Sequence, residues 1–292
     1  MDVEPAAELT KGQGPVAEYV IRPPGRLLSV DWKELWRFRD LFFVLAWRDI
    51  AIRYKQTVLG ILWAIIQPVV TMVVFTFIFN RVGNIQSGDS TPYPIFLYVG
   101  LLFWHYYSIT LTNASNSLVL HQNMIQKIYF PRLILPATAA TTGLIDLAIS
   151  SIILAGMMIY YRFSPPALGL LVLPILLICV ILTSLGFGFF LSAINVKYRD
   201  VRHALPFVIQ LLMYVTPVIY SVKMLDKHPV IKYLVLWLNP ISGVITNARA
   251  ALLGQGQVDW GIMAISLLMS CVYFVFGLYY FRNTERDFAD IV

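Results

Sequence analysis

The sequence predicts an all-α integral membrane protein with six transmembrane helices, an N-terminal amphipathic interface helix and a pair of re-entrant outer helices before the last span. Three observations predict it. Of 292 residues, 58% are hydrophobic and 13% charged, whereas a soluble domain carries about 25% charged residues. The apolar residues come in blocks of about 20, the length that crosses a hydrocarbon core. Lys and Arg gather in alternate loops between those blocks.

Residues 1–30 are polar and hold Pro15, Pro23 and Pro24. They lack the basic region and short apolar run of a signal peptide and read as a cytosolic tail, so the internal helices must drive insertion. Residues 31–56 form the interface segment. Asp31 and Glu34 have capping-box spacing, after which Phe43, Ala46, Trp47, Ile50 and Tyr54 fall on one helical face and Arg48, Asp49, Arg53 and Lys55 elsewhere. Such a Trp-bearing charged helix lies in the membrane interface.

Residues 57–292 form the membrane domain, with spans at 59–79, 95–113, 133–160, 168–194, 204–222 and 260–281. The first is 21 residues long, about 31 Å of helix, and Pro68 should kink it. Residues 230–253 are apolar but interrupted by Asn239-Pro240 and Gly243. They read as two short helices that enter the outer leaflet and return, protected by protein; the alternative, a single extra span, would send the C-terminus outside. With six spans, the N-terminal segment, the loops after spans two and four and the C-terminal tail share one side. Sixteen of the 22 Lys and Arg residues lie there, which makes that side cytoplasmic.

Several chemistries are excluded. The net charge of +6 is dispersed beside apolar blocks, unlike the basic patch of a nucleic-acid binder. Gly83 to Gly88 has the spacing of a phosphate-binding loop, but Asp89 stands where the Lys is required. Gly186-Phe187-Gly188 lies inside a span and suits close helix packing rather than a dinucleotide. The four His residues lack metal-ligand spacing, and Cys179 and Cys271 read as small buried hydrophobes. The energy for any transport must come from another subunit or an ion gradient. Asp146 is the one carboxylate in mid-span, at a cost of about 2.5–3.5 kcal/mol if unpartnered; it forms either an interhelical hydrogen bond or part of a substrate path.

Between spans two and three, Leu120, Met124 and Ile128 recur every four residues, with Leu118, Ile125 and Tyr129 beside them and Lys127 and Arg132 at the end. Pro131 disfavours helix at Phe130. The spacing predicts a short amphipathic helix over 118–130, which rests on headgroups or docks in a groove on a cytosolic partner.

The segments Arg48-Asp49-Ile50, Arg53-Tyr54-Lys55-Gln56-Thr57 with Leu59-Gly60 and Trp63, then Lys127 with Tyr129-Phe130-Pro131-Arg132, Asn195-Val196 with Tyr198-Arg199-Asp200-Val201, Pro217-Val218 with Tyr220, and Asn239-Pro240 together resemble the ABC-2 type permeases that export O-antigen, capsular polysaccharide or teichoic acid. The resemblance runs from about residue 20 to the C-terminus. It implies a homodimer in the bacterial inner membrane with two copies of a separate ABC ATPase, which holds ATP and Mg, and an undecaprenyl-linked glycan as substrate. It further implies that Leu120, Met124, Lys127, Ile128, Tyr129 and Arg132 seat in the ATPase, and that Trp47, Arg48, Arg53, Tyr54 and Lys55 border the place where the glycan enters. By the same resemblance Asn239, Pro240 and Arg249 belong to an outer gate, and aromatic rings line the channel. Phe103, Trp104, Tyr106, Tyr107, Tyr214 and Tyr220 can supply such rings, alongside Asp146, although each ring could equally serve as an interface-belt or packing residue. Two rivals share parts of this pattern. An ABC-2 drug or lipid exporter should lack the Tyr-Phe-Pro-Arg and Tyr-Arg-Asp-Val segments, and a membrane-embedded glycan-processing enzyme would need catalytic groups that the spans do not offer.

Overall fold

The computed structural model describes residues 32–55, 62–87, 91–198, 200–254 and 256–285. Expectations resting on the tail, on Asp31, on the segment from Gln56 to Gly60, and on Asp89, Arg199 and Arg286 lie outside the described residues. Among the described residues every regular element is helical.

In chain order these are α1 (Trp32–Arg37), α2 (Arg39–Lys55), α3 (Leu62–Phe75), α4 (Tyr93–Leu120), α5 (Gln122–Ile125), α6 (Ile134–Tyr160), α7 (Ala167–Lys197), α8 (Val201–Val215), α9 (Pro229–Leu238), α10 (Pro240–Leu253) and α11 (Trp260–Thr284). A π-helical stretch, Thr76–Val82, prolongs α3 to a 21-residue span. Among the described residues five helices are long and apolar enough to cross a membrane, namely α3 with its extension, α4, α6, α7 and α11. The protein is therefore a multi-pass membrane protein.

The remaining apolar segments depart from full spans in two ways. The interruption at Asn239-Pro240 bends α9 against α10 by 97°. Pro240 begins α10, where its missing N–H costs nothing, and the Asn239 side chain accepts from the Ile241 N–H at 3.2 Å, which caps the new helix. The segment expected to span at 204–222 is helical only as Val201–Val215, about 23 Å of rise and so short of a full hydrocarbon core. The chain beyond it turns at Thr216, and Asn239 Nδ2 donates to Thr216 Oγ1 at 2.8 Å, so that turn is pinned to the α9–α10 break.

The core is α4 and α7. Helix α7 packs on α4, α10 and α11, and α4 packs on α6, α7 and α10. The close approaches occur where side chains are absent. A Cβ on Gly277 of α11 would stand 1.9 Å from Gly186 O of α7, and one on Gly169 would stand 2.1 Å from Ala251 O of α10. This fits the reading of Gly186 as a packing residue. Polar groups join the same helices: Thr183 Oγ1 donates to Ser270 Oγ at 2.9 Å, and Asn195 Nδ2 donates to Ser115 O at 3.0 Å. By contrast α3 is mostly exposed, as are outward residues of α8 such as Phe207 and Leu211.

Two local expectations change. The loop helix over 118–130 is not one element. Helix α4 runs without a break to Leu120, kinks at His121, and α5 adds one turn before Gln126. The 28 residues of α4 rise about 42 Å, well beyond a core of about 30 Å, so α4 overhangs, and Lys127 and Arg132 just beyond its C-terminal end assign the overhang to that end. The interface segment also divides, at Phe38. In α2, Leu45 and Ala46 are buried while Phe43 and Trp47 are exposed. The helix thus packs along α6 instead of gathering its apolar residues on one lipid-facing side.

Candidate functional site

Trp104 and Tyr107 leave α4 one helical turn apart, with ring centroids 5.4 Å apart. Both line a cavity of about 520 Å³ whose other walls come from α7, α8 and α9 and from Asn239 and Pro240. Two expected channel residues and two expected gate residues therefore share one space. The other five channel candidates do not line it. Tyr106 is buried, and its Oη donates to Ala140 O at 3.5 Å. Phe103 is buried in the core, Tyr214 is exposed on α8, and Tyr220 donates to Val215 O at 2.7 Å, closing the turn after α8. Asp146 faces α2, as described below. Phe187 and Phe190 of α7 and Leu234 and Leu238 of α9 complete the walls; in the sequence nothing separates them from lipid-facing residues. The lining is almost wholly apolar, so it can offer flat ring faces and van der Waals contact but few hydrogen bonds.

Arg249, expected at the gate, is buried in α10. Its Nε donates to Phe96 O at 3.1 Å, Nη1 to Pro217 O at 2.7 Å and Tyr220 O at 3.3 Å, and Nη2 to Val218 O at 2.5 Å. The guanidinium lies 3.5 Å from the Phe96 ring centroid. Room for it exists because position 100 is glycine: a Cβ there would stand 2.6 Å from Arg249 Nη2. Only a planar fork with five donors can fan out to four carbonyls. Arg249 thus binds the turn after α8 to α4 and α10.

A second group of residues gathers at the overhanging end of α4. Leu120, Ile128 and Tyr129 are exposed large apolar side chains, Met124 is half-buried and Lys127 is exposed. This group is held from two sides. Tyr129 Oη donates to Glu34 Oε1 of α1 at 3.0 Å, and partial burial together with that carboxylate raises the phenol's pKa. Arg132 Nη1 donates to Glu285 O at 2.8 Å, and Glu285 also pairs with Arg282 at 2.8 Å. Further in, Arg48 of α2 pairs with Asp49 at 2.8 Å and contacts His121 Nε2, while His121 Nδ1 meets Ser117 O at 2.7 Å.

The third group joins α2 to α6. Asp146, thirteenth of the 27 residues of α6, is 1% exposed. Arg53 Nη2 lies 2.8 Å from its Oδ2, as an ion contact rather than a well-aligned hydrogen bond, and Tyr54 Oη donates to its Oδ1. Burial, followed by that hydrogen bond, raises the pKa of Tyr54. Of the residues expected to border the glycan's way in, Arg53 and Tyr54 are thus turned to the bundle, Trp47 and Lys55 are exposed and Arg48 is half-buried. The buried carboxylate is an interhelical partner, the first of the two readings open to it from sequence.

Comparison with known proteins places these features in a family. The family model described as ABC-2 type transporter matches residues 40–253, which takes in α2 through α10. An O-antigen export system permease protein RfbA of Klebsiella pneumoniae is 27% identical over 254 residues, covering 87% of this chain and 95% of that protein. The protein of the same name from Myxococcus xanthus is 26% identical over 261 residues, covering 89% of this chain and 98% of that protein. The polysialic acid transport protein KpsM of Escherichia coli is 23% identical over 242 residues, covering 82% of this chain and 91% of that protein.

Proposed function

The chain belongs to the ABC-2 type transporter family, and on that premise we propose that it is the permease subunit of an ATP-driven exporter that moves a lipid-linked polysaccharide across the bacterial inner membrane. The observation that carries the substrate class is similarity over nearly the whole length to permeases named for O-antigen export. The glycan is of the O-antigen, capsule or teichoic acid kind, carried on undecaprenyl.

In this reading two copies of the chain pair with two copies of an ABC ATPase, and ATP and Mg belong to that partner. We place both termini and the α4–α6 loop in the cytosol, which the distribution of Lys and Arg supports; beside the five long helices this takes a sixth crossing, by α8 with the turn that follows it. The exposed Leu120, Ile128 and Tyr129 with half-buried Met124 form the knob that an ATPase groove receives. Closure of the ATPases on ATP displaces this knob, the walls around Trp104 and Tyr107 part, and the glycan passes. Ring faces suit such a cargo, because stacking on a sugar's C–H face is weak, repeated and tolerant of sliding. This chain performs no bond chemistry.

The test is loss and rescue. Deleting the chain from its host should remove the surface glycan and strand its lipid-linked form inside, and the native chain should restore export. The native chain should co-purify with an ABC ATPase whose hydrolysis rises when lipid-linked glycan is added. Normal surface glycan in the deletion strain, with new sensitivity to drugs, would overturn the glycan reading.

A further inference from the structure

The chain spends polar contacts on holding α2 in a way that the transport reading alone does not require. At one end of the α1–α2 segment Glu34 accepts from Tyr129 and Arg48 meets His121, so the segment grips the overhanging end of α4 and the loop that follows it. At the other end Arg53 and Tyr54 reach Asp146 at the middle of α6. Arg53 follows Arg48 by five positions in α2, about 7.5 Å of helix, and two long guanidinium side chains extend that reach. One rigid helix is therefore fixed both to the loop and to a buried carboxylate deep in a neighbouring span.

A buried carboxylate is an exacting anchor. Removing Arg53 leaves an uncompensated charge on Asp146, which is 1% exposed and cannot hydrate, so Asp146 tolerates few positions of α2. Ordinary apolar packing against α6 would let the helix slide or roll. We propose that Arg53, Tyr54 and Asp146 are positioning residues for transport, which make α1–α2 a strut that passes displacement of the α4–α6 loop to the middle of α6. The proposal rests on the reading of that loop as the ATPase-facing surface, and it adds a second route from loop to membrane interior beside the direct one through α4. Asp146 then acts by registering a helix and needs no contact with the glycan.

The test uses the full permease co-expressed with its ATPase and reconstituted in lipid, with lipid-linked glycan as cargo. Asp146→Asn and Arg53→Gln should each lower glycan exported per ATP hydrolysed at least tenfold while the permease still co-purifies with the ATPase. Exchanging the pair, Arg53→Asp with Asp146→Arg, should recover a substantial part of that ratio, as expected of two side chains that act together. Tyr54→Phe keeps the ring and removes one hydrogen bond, so it should fold normally and lower the ratio by a few fold; it carries the test if the charge variants fail to accumulate. An unchanged ratio in Tyr54→Phe and in both charge variants overturns the strut, as does failure of the exchanged pair to recover anything when it accumulates and assembles. Met124→Asp separates this from the underlying reading. If it abolishes glycan-stimulated hydrolysis while the Asp146 variants transport normally, the strut falls and the coupling loop stands; if it leaves hydrolysis coupled, the loop reading itself falls.

Discussion

At the level of single residues, two side chains carry the sharpest expectations. Trp104 and Tyr107 line the cavity yet are also largely buried, so a path residue must be separated from a packing residue. Trp104→Tyr and Tyr107→Phe keep a ring face and should export near normally, whereas Trp104→Ala and Tyr107→Ala should export several-fold less glycan. Truncation of a packing aromatic costs about 3–5 kcal/mol, so permease abundance must be measured with surface glycan; export that falls only in step with abundance sinks the path assignment. Arg249 should behave as a structural pin. Arg249→Lys leaves most of its carbonyl partners without a donor, at about 1–3 kcal/mol for each buried group, and a lysine cannot fan out to them. The melting temperature of purified permease should drop by many degrees, and a melting curve like the native one would remove the pin. These residues were unevenly legible in the sequence. Asn239-Pro240 announced a helix break because of its backbone chemistry, and Asp146 announced a partner because mid-span charge demands one. Arg249 gave no sign that it would turn inward, since its acceptors are backbone carbonyls that any sequence possesses.

At the level of elements, the overhanging end of α4 carries the prediction. Leu120, Met124 and Ile128 stay apolar although they leave the membrane, and Leu120 is 75% exposed. An ATPase groove that receives them should be lost on Met124→Asp, with glycan-stimulated hydrolysis abolished and the permease still inserted. Stimulation equal to the native level would assign these residues to lipid headgroups. The four-residue spacing revealed the apolar stripe but not its continuity with the span, because periodicity persists across a helix of any length and only the rise per residue shows where the membrane ends. The helix expected over the fifth span is shorter than its apolar block for a related reason. Apolar composition continues to Val222, while the helix ends at Val215 because the following turn is held by Arg249 and Asn239, both distant in sequence.

For the molecule as a whole, composition and block length sufficed for the fold class, since backbone groups in lipid must pair within a helix. The arrangement of helices was far less legible: lipid-facing and core-facing residues are equally apolar, and α3 and α4 differ greatly in burial with little to distinguish them beforehand. Orientation is the whole-molecule prediction. With sixteen of 22 basic residues on one side, a reporter fused after Val292 should be active in the cytosol. Activity on the opposite face would mean an odd number of crossings, by the five long helices alone, with neither α8 nor the α9–α10 pair reaching across.

The crossing of α7 and α11 at Gly186 and Gly277 also bears on how the chain is made. These glycines are about 90 residues apart, so at about 5–20 residues per second α7 emerges from the ribosome roughly 5 to 20 s before its neighbour. During that interval the notch at Gly186 stands open to lipid. The hydroxyl beside it is not left wanting, because before α11 arrives Thr183 Oγ1 can give its single proton to Cys179 O of its own helix, 2.8 Å away. Helix α7 can therefore wait in the bilayer with its polar group satisfied and accept α11 late. A nascent chain that stalls before residue 260 would keep that notch unfilled.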